Sequence, residues 1–233
     1  MNYAIFSEHT RMADLILTNS SLLYVLPYFE IELGFGEKTV KQVCNEKGIS
    51  VFFFLLVCNI FTFDDYNPDD LDLMQISVKD VIKYLQDSHK DYLKVRMPQI
   101  IDDILNLVND CRIKNGNTLN AFCEKYREEV VSHFKYEEEI VFPYIIDLLN
   151  GRKNNNYKIK NYESNHSDID AALNDLKNII IKYLPKECTI EKCRDVLLNL
   201  FMFENDLSKH TLLEEKILIP LVEQIEKNLN GTV

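Results

Sequence analysis

No Cys-x-x-Cys pair occurs in this chain, and its six cysteines, Cys44, Cys58, Cys111, Cys123, Cys188 and Cys193, follow no short regular spacing. Such scatter is the habit of unpaired core thiols in a reducing compartment, so no structural disulfide is expected. Basic charge is also scarce: 26 Lys and Arg against 37 Asp and Glu leave a formal net charge of -11. That balance speaks against nucleic acid and against docking on an anionic membrane. Long apolar runs are missing too. The longest, Val51 to Cys58, falls far short of the ~20 residues a membrane-spanning helix needs. The first residues, Met1 to Met12, show no basic region followed by an apolar one. No secretory signal is therefore expected, and a cytoplasmic location is the working expectation.

What is present suits one main core with a small appendage: 233 residues, of which 46% are hydrophobic. Residues 1–61 hold short helical stretches broken by Pro27, Gly34, Gly36 and Gly48, with Leu22, Leu23, Val25, Leu26 and Phe29 to cover a small core. They read as a compact helical module. Residues 62–76 are acidic, contain Pro68 and lack helical period, which marks a linker. From Ser77 the pattern changes. A capping-box-like Ser77-Val-Lys-Asp80 precedes Val78, Val81, Ile82, Leu85, Leu93, Ile100, Ile101, Ile104, Leu105 and Val108 at three-to-four spacing, up to a turn at 114–117. Further helices are predicted from about Thr118 to Leu149, Lys158 to Leu184 and Thr189 to Leu229. Their short connections imply antiparallel neighbours, so 77–233 reads as an all-α, up-down four-helix bundle.

The second half of that segment repeats the first. His133-Phe-Lys-Tyr-Glu137-Glu-Glu-Ile-Val-Phe-Pro143 aligns without a gap to His210-Thr-Leu-Leu-Glu214-Glu-Lys-Ile-Leu-Ile-Pro220. His89 and His166 each stand 44 residues upstream of the matching histidine. At 1.5 Å per residue, the rise from His89 to its turn is roughly 33 Å and the return to His133 roughly 23 Å; for His166 and His210 the figures are roughly 27 and 32 Å. Each pair comes nearly level. Residues four apart share a helix face, so each His and its Glu can point inward together, beside Ile140 and Ile217.

Two carboxylates among four histidines at one depth of a core need cations or protons, because an uncompensated buried carboxylate costs several kcal/mol. Imidazole and carboxylate suit iron, manganese or zinc better than calcium or magnesium, and no cysteine joins the repeat. The two-fold pattern suggests two ions, each held by two histidines and bridged by Glu137 and Glu214. The candidate metal ligands are thus His89, His133, Glu137, His166, His210 and Glu214. Such a set leaves open positions for an oxo or hydroxo bridge, water or a diatomic molecule. Other features have plainer readings. His9 lies outside the repeat and reads as a surface residue. Tyr126 and Glu163 could orient ligands but read better as packing or solvated groups. Glu138 and Glu215 point about 100° from the ligand face, which favours solvation or hairpin contacts.

At these residues the chain resembles the hemerythrin-like (HHE) cation-binding domain, and within it the repair-of-iron-centres (RIC) proteins. The resemblance covers about 77–229 and includes Leu85-Gln-Asp-Ser-His89-Lys-Asp-Tyr-Leu93 and both Glu-Glu-x-Ile-x-x-Pro tails. It implies a hemerythrin-like bundle with a non-haem di-iron centre. The RIC branch further implies a role in nitrosative and oxidative stress and in repair of iron–sulfur clusters by iron donation, with peroxide, O₂ or NO as small ligands and iron–sulfur proteins as partners. Residues 25–49 also resemble that family's N-terminal module. Many members carry adjacent cysteines before a glycine there; this chain has Leu33-Gly34-Phe35-Gly36. The alternatives are an O₂- or NO-binding sensor or carrier, and a protein whose metal, zinc for example, only stabilises the bundle.

Overall fold

The computed structural model describes residues 5–69, 73–113, 116–152, 157–163, 169–185 and 188–230. Every regular element among these residues is helical, apart from one isolated antiparallel bridge between Arg11 and Thr39. The chain divides into two units, Met1–Asp87 with Lys209–Val233, and Ser88–Ser208.

In the first unit, short helices follow from local chemistry. Thr39 and Gln42 form a capping box that starts the helix Val40–Lys47, and Gly48, at φ 69°, closes it in a conformation that favours glycine. Ser50 then caps Val51–Thr62 by accepting from the Phe53 amide. Phe29, Phe53, Phe54 and Tyr84 pack edge-on or tilted, with ring centroids 5.1 to 6.1 Å apart. Buried Asn59 accepts from the Phe6 amide at 2.8 Å and donates to its carbonyl at 3.3 Å, tying down the N-terminal strand of chain. The acidic stretch after Thr62 is also fastened. Lys209 Nζ donates to Asp64 Oδ1 at 2.6 Å, and Lys216 Nζ to the Tyr66 carbonyl at 2.8 Å.

In the second unit, Met97–Asp110, Gly116–Tyr136, Ile169–Tyr183 and the part of Ile190–Leu213 that belongs to it surround a core that includes Tyr92, Ile104, Phe134, Leu173, Leu200 and Phe203. Of the turn predicted at 114–117, residues 114 and 115 lie outside the described residues, and Gly116 already opens the helix Gly116–Tyr136. Gly116 sits so close to Val108 that a Cβ there would overlap the valine side chain. Arg96 pairs with Asp206 in this core and lies over the rings of Tyr92 and Phe203, 5.7 and 5.1 Å from their centroids. Removing one partner of such a buried pair typically costs about 3–5 kcal/mol, since the other charge is left stranded.

The expectation of six free thiols is corrected here. Cys111 and Cys188 form a disulfide, with Cα atoms 5.1 Å apart. Cys111 caps Met97–Asp110 and Cys188 stands two residues before Ile190–Leu213, so two helix ends 77 residues apart meet. No local spacing could show that pairing. Cys44, Cys58, Cys123 and Cys193 remain free and buried. Burial pushes the Cys44 thiol up to about 12 and, with help from Glu124, that of Cys123 up to about 11.

Among the described residues three helices contain a π turn, at Tyr92–Arg96, Glu137–Val141 and Glu214–Leu218. Each lies immediately before a two-residue step to Pro98, Pro143 or Pro220. Proline has no amide hydrogen, and its ring crowds the carbonyl four residues back. The chain answers by widening one turn: the amides of Met97, Phe142 and Ile219 reach back five residues to the carbonyls of Tyr92, Glu137 and Glu214. The duplicated Glu-Glu-x-Ile-x-x-Pro tail is therefore a code for a π turn that begins at the glutamate. Tyr92–Pro98 is a third copy, with tyrosine in the glutamate position.

Candidate metal centre

Glu137 opens its π turn fully buried, and two histidines reach it. His133, one turn earlier on Gly116–Tyr136, places Nε2 2.7 Å from Glu137 Oε1. His89, from Val78–Asp91, places Nε2 3.0 Å from Glu137 Oε2. That second oxygen is buried without a well-formed hydrogen bond. The Tyr162 hydroxyl, from Ile159–Glu163, donates to Oε1 at 2.7 Å. Burial alone pushes the Glu137 carboxyl up, but hydrogen bonding and positive charge from His133 and His89 outweigh it and hold the group well below the usual glutamate range. Glu137 is thus held as a charged carboxylate although it is fully buried.

His89 is held from its other side. Its Nδ1 lies 3.0 Å from Glu138 Oε1, and its ring stacks on Phe134 at 4.1 Å. A carboxylate on one imidazole nitrogen, with the other nitrogen aimed at a buried anion, is the arrangement in which metal-binding histidines are oriented. Of the two readings open to Glu138, solvation or a hairpin contact, this is the hairpin contact. The signal in the sequence was its place beside Glu137, but its partner comes from another helix. Glu215, the matching residue of the second copy, is exposed.

In the first unit, His210 and Glu214 are both buried, with Nε2 and Oε1 3.4 Å apart. Within each pair, His89 with Glu137 and His210 with Glu214, the ligand atoms lie within 4.8 Å of each other. His166 lies outside the described residues. Of the flanking apolar positions, Ile217 is fully buried, whereas Ile140 is 46% exposed. The two hold the same place in matching π turns, so what differs is the packing around each and not the local winding. His9 is exposed beside Glu8, as expected, and Tyr126 lies in the apolar core.

Residues 81–222 match the family model of the hemerythrin HHE cation-binding domain. The chain belongs to this family. A comparison with curated proteins found no match. The hemerythrin HHE domain binds metal ions, usually iron. The donor set fits: His89, His133 and Glu137 are a buried cluster of two imidazoles and a carboxylate, with no thiolate, which suits a borderline cation rather than calcium or magnesium. Among the described residues no helix is long and apolar enough to cross a membrane.

Proposed function

We propose that this hemerythrin HHE protein holds two iron ions through His89, His133, Glu137, His166, His210 and Glu214. In this reading residues 77–233 form an antiparallel four-helix bundle, 1–61 a separate helical module and 62–76 their linker. The observation that carries it is Glu137: a charged, fully buried carboxylate flanked by two imidazoles, repeated in type by His210 and Glu214. Bound iron would supply redox chemistry and an open position for a small ligand. The protein's own part is arrangement. Glu138 fixes the His89 ring so that Nε2 faces Glu137, and Tyr162 holds one oxygen of Glu137. Phe134, stacked on His89, helps exclude water.

The role best supported by the sequence resemblance is that of the RIC branch: a cytoplasmic protein of the nitrosative and oxidative stress response that donates iron to damaged iron–sulfur proteins. Metal analysis with visible spectroscopy of anaerobically purified protein, before and after NO, O₂ or peroxide, tests the reading. His133→Ala and Glu137→Ala each lose iron, whereas His9→Ala keeps it; equal iron in all three refutes the site. Iron release with recovery of a damaged cluster enzyme supports donation. Reversible spectral change without release points instead to a sensor or carrier, and colourless protein containing zinc to a structural metal.

A further inference from the structure

Tyr162 is 1% exposed, and its hydroxyl is committed to Glu137 at 2.7 Å. Its ring lies nearly parallel to that of Tyr136, with centroids 6.5 Å and planes 24° apart. The Tyr136 hydroxyl shares a hydrogen bond of 3.1 Å with that of Tyr157. Tyr157 in turn meets the edge of Tyr144 at 4.7 Å. Four tyrosines thus run in contact from a buried carboxylate to Tyr136 and Tyr157, which are half-buried and open to solvent. Ordinary packing needs no phenol at these places, and phenylalanine would fill the core positions without polar atoms to satisfy.

We propose that Tyr162, Tyr136 and Tyr157 form a one-electron relay between the metal site and solvent, with Tyr144 packed against its outer end. The inference rests on the di-iron reading. Tyr162 gives one electron inward to an iron centre oxidised by a peroxide, while its hydroxyl proton shifts along the hydrogen bond onto Glu137. Tyr136 refills Tyr162 with an electron while the proton returns from Glu137, and the Tyr136 hydroxyl proton leaves to solvent. Tyr157 then refills Tyr136 with an electron and passes its own hydroxyl proton to Tyr136 across their shared hydrogen bond. A small thiol then gives a hydrogen atom to the Tyr157 radical, and two thiyl radicals join as a disulfide. In sum, each thiol sends one electron to the centre and releases one proton. The relay would draw oxidising equivalents away from the ligands and let a thiol reset the site.

Iron-loaded protein is mixed with hydrogen peroxide, frozen within its first turnover and examined by electron paramagnetic resonance, with iron content and helicity measured on each sample. Wild-type protein and the off-path variant Tyr84→Phe are expected to show a tyrosyl radical that a thiol quenches. In Tyr162→Phe the radical is lost with iron retained. In Tyr157→Phe it forms but outlasts added thiol. An undiminished radical in iron-replete Tyr162→Phe, or unchanged quenching in Tyr157→Phe, overturns the proposal. Wild-type protein that takes up no iron ends the metal reading separately. The chain of phenols is then tested in metal-free protein with a ruthenium photo-oxidant: a radical yield unaltered by Tyr157→Phe overturns it, and a lowered yield supports it.

Discussion

Reducing the Cys111–Cys188 bond opens a covalent loop of 77 residues that holds His133, Glu137 and Tyr162. In the chain-entropy account a cross-link stabilises by restricting the unfolded ensemble, and a loop of this length gives about 4.5 kcal/mol at room temperature. That is about three orders of magnitude in the folding equilibrium of the second unit. Because the slope of stability against guanidinium is several kcal/mol per molar for a chain of this size, the unfolding midpoint should fall by about 1 M on reduction. The assay is equilibrium unfolding of oxidised protein, of protein in a phosphine reductant and of Cys111→Ala. The last two should agree with each other and lie below the first. Cys44→Ala, which removes a free thiol of the first unit, should still respond to reductant. Coincident midpoints for oxidised and reduced protein would refute the reasoning, as would denatured, unreduced protein in which all six cysteines take up an alkylating label.

Two further outcomes follow from the site. In metal-free protein the folded-state value of Glu137 lies below its unfolded one, so the carboxylate contributes stability at neutral pH that is lost as pH falls through that lowered value; thermal melts of wild type and Glu137→Gln between neutral and acid pH should show a steeper loss in the wild type, and parallel curves would contradict the assignment. Pro143→Ala removes the cause of the π turn at Glu137–Val141 and gains up to about 3 kcal/mol of helix propensity, so metal titration and thermal melts should show iron affinity falling while stability holds or rises; unchanged affinity would separate the proline from the site.

The sequence carried the helices and the close pairing of each described His with the Glu four residues on, because both depend on spacing within one segment. Apolar positions three and four apart marked the long helices, and His133 with Glu137 lie one turn apart on the structure as their interval requires. What escaped were contacts between segments distant in sequence. Helical geometry turns Glu138 from Glu137 and leaves solvation or a hairpin contact open; the partner that decides between them, His89, arrives from another helix. Tyr162 drew no notice because nothing near it in the sequence repeats, although its hydroxyl holds Glu137. Cys111 and Cys188 were hidden for the same reason. Ile140 and Ile217 stand at the same place in matching π turns, yet only Ile217 is buried, because burial depends on the segments that pack against each copy and the repeat does not encode those.

The surplus residue of a π turn alters how the helix tolerates length changes. Deleting one residue from a regular helix swings everything beyond it by about 100° and exposes a buried face. A deletion inside Glu137–Val141 or Glu214–Leu218 would instead restore the ordinary winding and leave both flanks facing their own cores. The glutamate that opens each widened turn would then bear the whole change, so that a shortened chain could keep its shape and lose only its grip on the cation.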